Sequence, residues 1–273
     1  MTLKAHRLAN SPRRLRVASY NIHKGVRGVG PRKRLEIHNL KEGIESLDAD
    51  VVCLQEVRLF HHRQARHFAS AGQHWPEEGQ AEYLAPQGYD VAYRTNAITR
   101  HGEHGNAVLS RWPLGAIAHH DVSDHRFEQR GLLHVPVVWQ KRQVHVVVAH
   151  FGLVHASRVR QVQRLAHYLH AEVPGDEPLM VVGDFNDWGE KLDPLFERQG
   201  LSRARTPQGP LAAFAPRGPL AKPLPTFPSR VPVFALDRFY TRGLRCTAAQ
   251  VPRGLNWARL SDHLPLVAEF ETC

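Results

Sequence analysis

This sequence is poor in cysteine. Cys53, Cys246 and Cys273 are its only three, odd in number and far apart. That excludes a disulfide framework and a cysteine metal cluster; Cys53, inside an apolar run, reads as a small buried hydrophobe. No run of 18 apolar residues occurs, so no membrane-spanning helix is expected. Met1 to Arg16 is basic and polar without the apolar core of a secretory leader, so a cytoplasmic protein is expected. Internal repeats and long linkers are missing too. Acidic side chains are scarce, 26 Asp and Glu against 36 Lys and Arg, for a formal charge of +10. A basic surface suits a polyanion, either nucleic acid or an anionic phospholipid surface, although solubility alone explains the charge about as well.

What is present is an ordinary globular composition, 42% hydrophobic and 23% charged, long enough at 273 residues for one large core. Residues 1–13 are expected to form a flexible basic tail and residues 14–273 a single domain, as a monomer. Strand-like runs are Leu15–Ile22, Val51–Val57, Asp90–Tyr93, Ala107–Ser110, Leu132–Trp139, Val144–Ala149, Leu179–Val182, Leu236–Thr241 and Leu264–Phe270. Ile37, Leu40, Ile44 and Leu47 keep helical spacing, as do Val159, Val162, Ala166 and Leu169. Strands alternating with helices, plus neighbouring strands, predict an α/β fold with mixed sheets covered by helices. Thr206 to Pro232 holds eight prolines and no periodicity, which predicts a long loop or flap near the site.

The most informative segment is Gly183-Asp184-Phe185-Asn186, directly after the apolar run Leu179-Met180-Val181-Val182. Chemistry in open α/β sheets collects beyond the carboxyl ends of strands. Strand alternation would send Asp184 and Asn186 together into a crevice and Phe185 away from it. A carboxylate beside an amide suits a hard metal ion, or a water aimed at phosphorus. Other run ends carry similar residues: Asn21, Glu56, His150, Asp237 and the pair Asp262-His263. Singly, Asn21 is as good a turn residue, His150 a better packed strand-end histidine, and Asp237 a possible cap. Jointly, acids, amides and histidines at converging strand ends are what metal-assisted phosphoester cleavage asks for.

The ordered set Ser19-Tyr20-Asn21-Ile22-His23, Leu54-Gln55-Glu56-Val57, Gly105-Asn106-Ala107-Val108-Leu109-Ser110, His150, Gly183-Asp184-Phe185-Asn186, Leu236-Asp237-Arg238 and Ser261-Asp262-His263 resembles the endonuclease/exonuclease/phosphatase superfamily. The likeness covers residues 15–270 and is strongest to small bacterial members with Asn-Ile-His-Lys-Gly and Gly-Asp-Phe-Asn-Asp-Trp. It implies a DNase I-like four-layer α/β sandwich, two packed mixed sheets flanked by helices. It also implies a Mg²⁺- or Mn²⁺-dependent phosphodiesterase or phosphatase. By motif position, Glu56 resembles the principal metal ligand, with Asn21 and Asp262 close to the metal. Asp184 resembles the carboxylate that orients or deprotonates water, and Asn186 a phosphate-oxygen ligand. Asp237 would hold His263 on the scissile phosphate, and His150 resembles a leaving-group acid or phosphate donor.

One departure stands out: where many nucleases of the family carry an acid two residues after the first Asn, this chain has His23. That weakens an abasic-endonuclease reading. Arg158, opening the helix after His150, and His104, in the loop before Asn106, are candidate substrate contacts. The expected function is metal-dependent hydrolysis of nucleic acid, DNA first, by in-line attack of water. The alternatives are a phospholipid phosphodiesterase or phosphatase, with the proline-rich loop touching lipid, and a non-catalytic binding module that keeps the fold.

Overall fold

Leu15 and Val17 point to one face of β1 (Leu15–Asn21), Ala18 and Tyr20 to the other, and all four are fully buried. A strand buried on both faces has to lie in the middle of layers, and the computed structural model, which describes residues 13–28, 30, 33–125, 127–206 and 222–273, shows those layers. Residues 1–12 of the expected tail and 207–221 of the proline-rich stretch lie outside the described residues.

The first sheet has six strands in the order β13 (Leu244–Gln250), β14 (Leu266–Thr272), β1, β4 (Val51–His61), β6 (Gly102–Ser110) and β5 (Asp90–Thr99). The second runs β11 (Ser202–Arg203), β12 (Asp237–Arg242), β10 (Leu179–Asp184), β9 (Arg142–His150), β8 (Gly131–Trp139) and β7 (Ala118–Asp121). A small ribbon pairs β2 (Val26–Arg27) with β3 (Arg34–Leu35). Val17, Val51, Val146, Val148, Met180, Val182, Phe239 and Phe270 fill the space between the two large sheets. The first sheet turns Ala18, Tyr20, Val52 and Leu54 outward onto α1 (Ile37–Ser46), and the second turns Val147, Ala149 and Val181 outward onto α4 (His155–Glu172). The result is the expected four-layer sandwich of the DNase I-like class.

Each large sheet has one parallel pair at its centre, β1 with β4 and β9 with β10. α1 and α4 are the crossover helices that parallel pairing requires. The pairing aligns carboxyl ends: Asn21 sits opposite Gln55, next to Glu56, and His150 opposite Asp184. The antiparallel neighbours start near where these strands stop, so Asp237 opens β12 opposite Asp184, and His263 lies three residues before β14.

Departures from the expected elements fall where one face meets solvent. β4, β5 and β6 extend past their apolar runs to His61, Thr99 and back to Gly102, through residues with no hydrophobic alternation. The edge strands β7 and β13, with sequences AHHD and LRCTAAQ, gave no apolar signal. On α4, Leu165 is buried while Val159 and Ala166 are only half-buried, so the inward stripe is rotated from the expected one. The short helices α2 (His62–Ser70), α3 (Gln80–Leu84), α5 (Asp193–Glu197) and α6 (Trp257–Leu260) complete the described α-helices, and a 3-10 turn spans His23–Gly25.

Gly183 is the tightest point of the central pair. Its φ is +144, and a Cβ there would stand 1.9 Å from the Ala149 carbonyl oxygen. That backbone region is nearly closed to other residues and costs on the order of 1–3 kcal/mol when forced, before the clash. Gly183→Ala is therefore expected to lower unfolding free energy by about 3 kcal/mol or more. Urea denaturation followed by circular dichroism checks this, and an unchanged midpoint contradicts it.

Candidate active site

Asp184 ends β10 with its carboxylate buried at the seam between the sheets. Its Oδ1 accepts from the Asn186 backbone N–H at 2.9 Å, and its Oδ2 from Asn21 Nδ2 at 3.1 Å. His263 Nε2 lies 3.5 Å and His150 Nε2 3.7 Å from the same Oδ2. Four residues named from sequence thus surround the fifth. Phe185 turns away, packing edge-on against Phe151, Phe196 and Tyr240, which anchors the segment. Asn186 stays near Asp184 for a different reason than strand alternation. The strand has ended, Asn186 is left-handed at φ 48, and its Nδ2 donates to the Phe151 carbonyl at 2.9 Å.

Behind His263 stands Asp237, whose Oδ2 accepts from His263 Nδ1 at 2.8 Å and from Thr226 Oγ1 at 2.6 Å. Thr226 comes from the described end of the proline-rich stretch, and Phe227 lies against the His263 ring, centroids 4.9 Å apart. Burial alone would lower the His263 pKa, but the facing carboxylates of Asp237 and Asp184 outweigh it and raise it to about 10. His150 goes the other way. Burial, with the positive charge of Arg130, holds it down to about 4, against the pull of Asp184 and Glu56. Near neutral pH the site therefore pairs one imidazolium with one neutral imidazole across a single carboxylate.

On the other side of Asn21 are the carboxylates of Glu56 and Asp262. Glu56 sits at a bulge in β4 with φ 57, and its Oε2 meets Lys24 Nζ at 2.5 Å. Burial would raise the Glu56 pKa, but the adjacent Lys24 ammonium, by its charge and its hydrogen bond, holds it far below the usual carboxylate range. Asp262 Oδ2 lies 3.2 Å from His23 Nδ1, and its Oδ1 accepts from Ser261 Oγ. His23 and Lys24 reach these acids because both are left-handed, at φ 45 and 62. Asn21 Oδ1 accepts from the His23 N–H at 3.1 Å.

Two expected substrate contacts are placed differently. His104, on β6 opposite Arg58, is close enough to Lys24 and Glu56 for their charges to act on it. Burial, reinforced by Lys24, lowers its pKa to about 4. Arg158 is near but not free. Its buried guanidinium donates from Nη1 to the Gly152 and Leu153 carbonyls, which shapes the loop after His150. Nor is Arg160 available, its guanidinium being held by Asp124 at 2.6 Å. Sequence reasoning missed Lys24, Thr226 and Arg130. The only signal for Lys24 was its place three residues after Asn21 at a strand end.

Metal-binding chemistry can be judged from the donors. Among the described residues no three His, Cys, Asp or Glu side chains gather at metal-holding positions. Two carboxylates and an amide oxygen, from Glu56, Asp262 and Asn21, do suit a hard cation that keeps several of its waters. The ammonium of Lys24 on Glu56 marks a position that already attracts positive charge.

A model of the endonuclease/exonuclease/phosphatase family matches residues 18–263 of this chain. The chain belongs to that family. Its members in general are metal-dependent enzymes that hydrolyse phosphoester bonds. The uncharacterized protein YbhP of Escherichia coli (strain K12) is 36% identical over 259 residues, covering 93% of this chain and 95% of that relative. Among solved structures, the human Nocturnin catalytic domain with bound sulfate anion superposes with TM-score 0.65 at 20% identity, over 97% of each chain. D. rerio TDP2 complexed with single strand DNA product gives 0.62 at 14%, over 95% of this chain and 99% of that one. The endonuclease/exonuclease/phosphatase from Beutenbergia cavernae DSM 12333 gives 0.66 at 20%, over 96% and 72%. These structural likenesses are likenesses of fold.

The raised His263 value has a thermodynamic consequence. A folded-state pKa above the ordinary 6.5 stabilises the fold fully below about pH 6.5, and that contribution is lost as pH rises through about 10. In chelator-treated protein, urea midpoints are expected to fall between pH 7 and 10. Asp237→Asn should flatten that fall, and an identical slope in the variant would remove Asp237 as the cause.

Proposed function

We propose that this chain is a Mg²⁺- or Mn²⁺-dependent phosphodiesterase that cleaves nucleic acid, DNA first, by in-line attack of water. The observation that carries the reading is the Asp184 carboxylate, buried at the seam within 3.7 Å of both His263 and His150. A carboxylate so placed can align a water and take its proton. His263, protonated and held by Asp237 and Thr226, would set a positive charge against the phosphate oxygens as negative charge grows there. His150, neutral near pH 7, would act as a hydrogen-bond partner of the phosphate or the leaving oxygen. Asn186 keeps one amide hydrogen beyond the one used on Phe151 and would turn it to a phosphate oxygen. Arg158 would act through the loop that carries His150 rather than by touching substrate.

A divalent ion, when bound, would neutralise phosphate charge; Glu56, with Asn21 and Asp262, would hold it. The +10 charge is consistent with nucleic acid, to which it would supply backbone contacts of no sequence specificity. TDP2, which shares the fold, was crystallised with a DNA product.

A second reading, a phospholipid phosphodiesterase or phosphatase, has one observation in its favour. Trp188, Val231, Val233 and Phe234 are exposed around Phe227, which lies on His263. An apolar rim beside the chemistry would meet a lipid surface or stack bases equally well. Among the described residues no helix is long and apolar enough to cross a membrane.

Purified protein incubated with Mg²⁺ or Mn²⁺ and plasmid DNA, single-stranded DNA, RNA or anionic phospholipid vesicles separates the two. Asp184→Asn is expected to cut turnover by about 10²–10⁴ with the fold intact. Near-normal turnover in that variant would move water alignment to another residue. Glu56→Gln should weaken Mn²⁺ binding, read by calorimetry, together with activity; unchanged affinity removes Glu56 from the metal site. Headgroup release without any nucleic-acid cleavage would select the lipid reading.

A further inference from the structure

Beside the hydrolytic cluster lies a cavity of about 450 Å³ lined chiefly by Lys33, Arg58, His61, Arg63, His67 and His101, with no Asp or Glu in its wall. Arg58 is its innermost member. It lies on β4 two residues past Glu56, across the bulge at that residue, and only 7% of it is exposed. Its Nη1 donates to Gln64 Oε1. The one carboxylate whose charge acts on it is Glu56, which Lys24 already holds. A guanidinium cannot shed its proton to relieve burial, and a buried charge without a partner is costly. Arg63 and Gln64 belong to the first turn of α2, which carries no acidic residue, so that end of the helix adds a positive potential. Lys33 and Arg63 have no ion-pair partner among the described residues. Everything in this wall is neutral or positive, and what would balance it is an anion.

We propose that this cavity is a binding subsite for a second phosphate of the substrate, a backbone phosphate near the one being cleaved. Arg58, Lys33 and Arg63 would hold it. The proposal rests on the nucleic-acid reading above and sharpens it: a substrate with a single phosphate leaves this subsite empty, whereas a polynucleotide fills it. The route from Glu56 to Arg58 follows β4 outward and continues to Arg63 at the start of α2, which would give a bound nucleic-acid strand a direction across the sheet.

The test is equilibrium binding of a fluorescein-labelled single-stranded oligothymidylate to full-length Asp184→Asn protein with Mg²⁺ over a series of salt concentrations. Adding Lys33→Gln and Arg63→Gln should weaken binding about tenfold and reduce the slope of log affinity against log salt by about 0.7 per contact removed. Lys141→Gln with Arg142→Gln removes the same charge from the exposed β8–β9 turn, at the far end from His150, and should leave the slope unchanged within error. Equal losses in both pairs, or no loss in the first, overturn the subsite. Inorganic phosphate that binds the native chain but not the Lys33/Arg63 pair, with oligothymidylate held equally by both, marks a free-anion site and overturns it too. Arg58→Gln should give the largest loss; if it unfolds, judged by thermal melting, the surface pair still decides. Failure of the hydrolytic reading looks different: the native chain cleaves no nucleic acid, yet the slope still falls in the Lys33/Arg63 pair.

Discussion

The buried carboxylate of Asp184 is the constraint around which this site is organised. A carboxylate taken out of water has to be hydrogen-bonded or faced by positive charge. Here an amide, a backbone N–H and two imidazoles do both. That requirement reaches the second layer. His263 can stay charged beside Asp184 because Asp237 stands behind it, and Asp237 is in turn held by Thr226. Asn21, Asp184, Asp237 and His263 come from four separate strand ends, so the arrangement persists only while both sheets keep their register.

That register comes from the centre of the sandwich. Two parallel pairs, one per sheet, send their carboxyl ends to the same seam, and antiparallel neighbours bring Asp237 and His263 to it from the opposite direction. Gly183 shows how closely the pairs are packed, since no Cβ fits between its backbone and the Ala149 carbonyl. The geometry of the catalytic candidates is thus inherited from the apolar packing of Val17, Val148, Met180 and Val182 several residues away.

Legibility followed burial. The central strands β1, β4, β9 and β10 were readable because layers on both faces demand unbroken apolar runs. His150 and Asp184 were readable for the same reason, each being the first polar side chain after such a run, whereas Asn21 follows Ser19 and Glu56 follows Gln55. The edge strands β7 and β13 carry polar faces and looked like loops. Lys24 escaped, and His23 was noticed only as a departure from the family pattern, because a left-handed turn, not a periodic pattern, swings them onto Glu56 and Asp262. Thr226 escaped because it lies in a proline-rich stretch without periodicity. Arg158 was legible as a basic residue in the right place, but its commitment to two carbonyls depends on the path of the Gly152 loop.

The ion pair between Lys24 and Glu56 has a bearing on how the protein meets its surroundings. A cluster of acids with no cation of its own would repel itself whenever metal is scarce, and the loop after β1 would be held only by an imported ion. With an ammonium on Glu56, that acid is countered from within the chain. Were Glu56 to hold a divalent ion, it would have to leave Lys24 or serve both. A Lys24 ammonium so released would remain beside Glu56, available to an anionic substrate.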